Sequence, residues 1–69
     1  MKKPPPNPIR QLRDAAGLTQ EQTAARAGMR QGGWSTLEHY PTLEGVKLET
    51  LRRVAIGLGV GVESLIGGK

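Results

Sequence analysis

The sequence predicts an all-α domain of five short helices packed around one small core. Three observations predict it. Apolar residues recur three and four positions apart within each segment, and nowhere does apolar alternate with polar as in a strand. Glycine or proline stands at the end of each such segment, where helices stop. The 69 residues suffice for one domain with a modest core, which eight leucines, four valines and three isoleucines must largely supply. The only aromatics are Trp34 and Tyr40, and there is no Phe and no Cys. Without cysteine there is neither a disulfide framework nor a thiolate metal site, so packing must supply the stability.

The chain opens with a basic, proline-rich arm over residues 1–6, expected to be extended and flexible. Residues 7–66 form the domain, and 67–69 a frayed tail. Asn7-Pro8 starts helix 1: Asn suits an N-cap, and Pro suits the first helical position, where its missing N–H would be unbonded anyway. Ile9, Leu12, Ala15 and Ala16 follow at helical spacing, and Gly17 closes the helix. Leu18 points inward from the connection. Thr19 and Gln22 have the spacing of a capping box at the start of helix 2, whose inward face is the small set Thr23, Ala24 and Ala27. Gly28 permits the positive φ of a tight turn, and Met29 buries beneath it.

Helix 3 is expected over Gln31 to His39. Trp34 and Leu37 share one face, which assigns Trp34 to the core. Tyr40-Pro41 ends the helix, because the residue before proline disfavours helical backbone. Residues 42–47 form a loop. Leu48, Leu51, Val54, Ala55 and Leu58 define an amphipathic helix 4, ended by Gly57 to Gly59. A short helix 5 carries Val62, Leu65 and Ile66. Helix 2, glycine turn and helix 3 have the layout of a helix-turn-helix, which can place its second helix in the major groove of DNA.

Charge agrees with a polyanionic partner. Ten Lys and Arg against six Asp and Glu leave a net charge of +4. No apolar run is long enough to span a membrane, and the basic and apolar residues do not make one long amphipathic helix for a membrane surface. Lys2 and Lys3 are not followed by the apolar segment of a secretory signal.

On these residues the chain resembles the lambda-repressor-like helix-turn-helix family, the phage repressor and Cro type, from about Ile9 to Ile66. The matching pieces are Leu12-Arg13 before Gly17-Leu18-Thr19-Gln20, the Ala24 and Ala27-Gly28 frame, and Leu37-Glu38 closing helix 3. Downstream, Leu48-Glu49-Thr50-Leu51 and Leu58-Gly59-Val60 match the fourth helix and its exit. The resemblance implies a compact five-helix DNA-binding domain, with the helix-turn-helix at helices 2 and 3, in a prokaryotic cytoplasm and on the nucleoid when DNA-bound. By position, Gln20 would bond a phosphate, as a helix N-terminus favours. Gln31, Gly32, Gly33 and Thr36 fall where the family reads base edges, with Arg30 just before them, and Ser35 is a further expected DNA contact. Tyr40 and Lys47 fall where it contacts phosphates. Arg13 and Glu38 occupy the positions of a structural ion pair joining helix 1 to helix 3.

Three departures from the family pattern bear on function. Gly32-Gly33 opens the recognition helix with no side chain, and each Gly costs about 1 kcal/mol against Ala in a helix interior, less near an end. Such a helix either frays or begins late, or brings its backbone close to DNA. Arg30 replaces the usual Ser or Thr cap, and Tyr40-Pro41 the usual Asn-Gly turn. In helix 2, Thr23 replaces the usual Leu, which either loosens the core or leaves a gap for Trp34 to fill.

The function expected is sequence-directed binding of double-stranded DNA by a small, repressor-like transcriptional regulator. A homodimer is expected to meet through the helix 5 region, at Val60, Val62 and Ile66. The alternative is an antitoxin-like module that binds a protein partner and DNA only secondarily. No enzyme is expected, because His39 is the only histidine and no nucleophile is arranged beside it. No cofactor is expected, and a metal site would need more ligands.

Overall fold

The computed structural model describes residues 6–66. Residues 1–5 of the expected arm and the tail at 67–69 lie outside the described residues. Among them are four α-helices and one short 3₁₀ turn: α1 Ile9–Ala16, α2 Gln20–Ala27, α3 Gln31–His39, α4 Leu48–Leu58, then Val62–Ser64.

The first two helix starts have a local cause. α1 begins at Ile9 with Pro8 as its N-cap residue, one position later than expected, and Asn7 Oδ1 accepts from the Ile9 N–H at 3.0 Å, so the Asn7 side chain still satisfies a donor of the first turn. Thr19 Oγ1 accepts from the Gln22 N–H at 3.1 Å while Gln22 Oε1 accepts from the Thr19 N–H at 2.9 Å, a complete capping box for α2. The starts of α3 and α4, after Arg30 and Lys47, have no side-chain cap. Gly28 ends α2 with φ +72°. That left-handed backbone favours glycine, and it lets the Met29 N–H reach back to the Ala24 carbonyl at 2.9 Å. The chain thereby turns from α2 directly into α3.

The core joins Ile9, Ala24, Ala27, Trp34, Leu43, Leu51, Val54, Ala55, Leu58 and Leu65, with Leu12, Met29 and Leu37 packed partly buried against it. Trp34 and Thr23 are both 0% exposed. The small face of α2 lets α4 approach closely. Gly57 marks the contact: a Cβ there would stand 2.7 Å from the Thr23 carbonyl oxygen and 3.2 Å from the Trp34 ring.

Five expectations are corrected. The fifth helix is only the 3₁₀ turn Val62–Ser64. Glycines at 61 and 67 leave too short a span for a nucleated α-helix. Gly57 does not end α4 but lies buried within it, and the helix runs on to Leu58 before Gly59. Leu48 is 54% exposed, because the packing of α4 begins one turn later at Leu51. Ala15 and Ala16 are exposed, since α1 is covered only along its Ile9, Leu12 and Arg13 side. Val60 and Val62 pack against the core, leaving only Ile66 of the expected self-contact residues exposed. Among the described residues no helix is long and apolar enough to cross a membrane.

Candidate nucleic-acid interface

The only carboxylate of α3, Glu38, is turned away from solvent, with its side chain 4% exposed. Arg13 of α1 grips it with two guanidinium nitrogens: Nε on Oε2, and Nη2 on Oε1 at 3.2 Å. Gln20, the first residue of α2, donates from Nε2 to Oε1 at 2.9 Å. The Trp34 indole N–H donates to Oε2 at 2.6 Å. Arg13 also donates to the Leu18 carbonyl at 3.0 Å. A single carboxylate therefore fastens α1, α2 and α3 together.

Burial works against the charge on Glu38. The hydrogen bonds from Arg13, Gln20 and Trp34, with the charge of Arg13, outweigh it and hold the carboxyl below the ordinary carboxylate range. The hydrogen bond to Glu38 conversely raises the pKa of Arg13, against the cost of its own burial.

With Trp34, Leu37 and Glu38 facing the domain, the opposite side of α3 shows Gln31, Gly32, Gly33, Thr36 and His39, all exposed, with Ser35 half-buried. That side carries no acidic and no large apolar side chain. The helix begins at Gln31 despite the glycine pair, so it does not start late. A Cβ at Gly32 or Gly33 would meet nothing within 4 Å, and neither residue has a positive φ. Packing therefore does not account for glycine at these positions. Thr36 Oγ1 donates to the Gly32 carbonyl at 3.0 Å, and His39 Nδ1 donates to the Ser35 carbonyl at 2.7 Å.

The polar flanks lie at the two ends of α3. Arg30 is exposed at its start. Tyr40 and Lys47 come together at its far end, where they line an open cleft of about 500 Å³ with Pro41, Thr42 and Glu44. Gln20 stands apart from both groups, its amide on Glu38. One of its amide hydrogens and the backbone N–H groups of Gln20 and Glu21 remain for an anion.

Besides the bond from Gln20 to Glu38, two anchors escaped the reading of the sequence. Asn7 donates from Nδ2 to the Leu37 carbonyl at 2.7 Å and the Tyr40 carbonyl at 2.9 Å, so the cap of α1 also closes the end of α3. No local pattern signals a link across 30 residues. The Trp34 bond to Glu38 did have a signal, since the two residues stand four apart on one helix.

A family model described as a helix-turn-helix domain matches residues 9–65. Among solved structures, the restriction-modification controller protein C.Esp1396I is similar at 24% identity, with a TM-score of 0.68 over 77% of this chain. The match spans 66% of that chain, just under two thirds. The clp gene regulator ClgR from C. glutamicum is similar at 28% identity, with a TM-score of 0.68 over 81% of this chain and 70% of that one. No curated protein matches the chain.

Proposed function

The chain belongs to the helix-turn-helix domain family, and from that premise we propose that it is a DNA-binding transcriptional regulator that lays α3 in the major groove. The observation that carries this is the sidedness of α3. Its only carboxylate is buried against Arg13, and its outer face offers small, uncharged, hydrogen-bonding groups. A surface so free of negative charge and bulk suits close approach to a polyanion.

In this reading Arg30 and Gln31 contact bases or phosphates at the start of α3, and Ser35 and Thr36 contact them along it. Tyr40 and Lys47 meet the backbone at its far end, with the start of α2 at Gln20 against another phosphate. Exposed Ile56 and Ile66 support a second copy of the chain as the partner in a dimer. Half-sites would then lie roughly 34 Å apart. The protein would act without enzymatic chemistry, on the DNA of a prokaryotic cytoplasm.

The exposed apolar residues Leu48, Ile56 and Ile66 equally favour a second reading, an antitoxin-like module held by another protein. Fluorescence anisotropy with duplex DNA across a salt series separates the two. About five phosphate contacts predict a slope of log affinity on log salt near −4.5. A slope near zero would leave the protein-partner reading standing.

A further inference from the structure

Two side chains on the outer face of α3 turn acceptors outward. Thr36 gives its only proton to the Gly32 carbonyl at 3.0 Å. The Ser35 carbonyl can only accept, so the tautomer that makes this 2.7 Å bond has its proton on His39 Nδ1. Both protons are thus committed to the backbone of the helix itself. What the two exposed side chains offer outward is the lone pairs of the Thr36 hydroxyl and the lone pair of His39 Nε2. Gly32, Thr36 and His39 recur at i, i+4 and i+7, so they form one stripe on the side of the helix opposite Trp34.

The start of the same stripe is bare. Gly32 and Gly33 have open space where a Cβ would stand. They offer no side chain for readout, and they let the backbone come nearer to whatever faces it. Within this stripe, discrimination between bases must then come from Thr36 and His39.

We propose that His39 is a specificity-determining residue, whose Nε2 accepts a hydrogen bond from a base bearing an exocyclic amine in the major groove. Cytosine N4 and adenine N6 supply such donors, whereas guanine O6 and thymine O4 present acceptors and are rejected at that position. This rests on the reading of α3 as a groove-inserted helix.

The test is selection from random duplex DNA with the wild-type chain and with His39→Ala, followed by titration of the selected site at several salt concentrations. His39 is exposed, so the variant is expected to fold, and a circular dichroism melt confirms it. The expected result is a preference for C or A at one position of the site that disappears in His39→Ala. Affinity for the selected site falls roughly 2- to 12-fold, the range of one neutral hydrogen bond. The salt slope stays the same. An equal loss on all sequences, with a slope shallower by about 1, makes His39 a phosphate contact and overturns the inference. Identical selected sites for the two proteins also overturn it while leaving DNA recognition intact. A wild-type chain that binds duplex DNA without enriching any sequence overturns it too. One that binds no DNA overturns the underlying reading as well.

Discussion

Replacing Glu38 with Gln tests the frame that holds α3. The carboxylate is 4% exposed and its partner Arg13 14%. The variant keeps the shape of the side chain and one acceptor oxygen, but replaces the other oxygen with a donor. Three residues now aim hydrogen-bond donors at this group: Arg13, Gln20 and Trp34. One of them must face the new NH₂ group, and the Arg13 charge loses its counterion. Breaking a buried pair from one side costs about 3–5 kcal/mol. A small domain has a total stability near the lower end of roughly 5–15 kcal/mol, so the change removes most of it. At about 4–8 °C per kcal/mol for a domain of this size, Tm falls by more than ~12 °C. Thermal and urea melts followed by circular dichroism measure this directly. A loss below about 1 kcal/mol would show that the pair behaves as an exposed one and would refute the argument.

The same variant predicts a change in acid stability. The folded state holds Glu38 below its ordinary carboxylate pKa. In the unfolded chain the group binds protons more readily, so its contribution is fully present above the ordinary value of about 4.3. That contribution is lost as pH falls from there through the lower folded pKa. Wild-type Tm should therefore drop over this acid window, whereas Glu38→Gln should lack that part of the drop.

Three further substitutions separate packing from surface chemistry. Gly57→Ala places a methyl 2.7 Å from the Thr23 carbonyl oxygen and 3.1 Å from the Ala27 Cβ, neither of which is a flexible tip. Urea melts should show a loss of about 1–3 kcal/mol. Gly33→Ala meets nothing within 4 Å, so Tm should rise, by up to about 1 kcal/mol of stability. DNA affinity should fall in the same variant, because a methyl then stands between the helix and the groove; unchanged affinity would argue against close backbone approach. Asn7→Ala removes the α1 cap and both bonds to the end of α3, a loss of about 1–2 kcal/mol. Asn7→Asp should recover only the cap, which a comparison of urea midpoints reads out.

What could be read from the sequence was local. The Thr19–Gln22 box, the glycine ends of α1 and α2, the Pro41 stop and the inward assignment of Trp34 each depend on residues within one turn of each other. Leu48 fitted the stripe of α4 by spacing, but spacing does not say where a neighbouring helix begins to cover it. The fifth helix failed for a related reason, since apolar residues at helical spacing do not overcome glycine on both sides. The Arg13–Glu38 pair came from family resemblance, and periodicity alone gave no reason to join the two residues. The attachment of Gln20 to Glu38 and of Asn7 to the end of α3 depends on how three helices cross, which no short window contains.

The two sides of α3 obey different demands. On the inner side no buried side-chain polar atom among the described residues lacks a hydrogen-bond partner. On the outer side two glycines weaken the first turn where alanine would fit, and no contact within the domain compensates. A local rule broken without a structural reason points to a demand from outside the fold. The rigid carboxylate hub makes that tolerable: α3 is held by Arg13, Gln20 and Asn7 from other segments, so its first turn need not be intrinsically stable. The anchors act near Glu38 and at the helix end, leaving the Gly32-Gly33 turn the least constrained part of the helix in the free protein. That turn is the part a DNA backbone would order on contact.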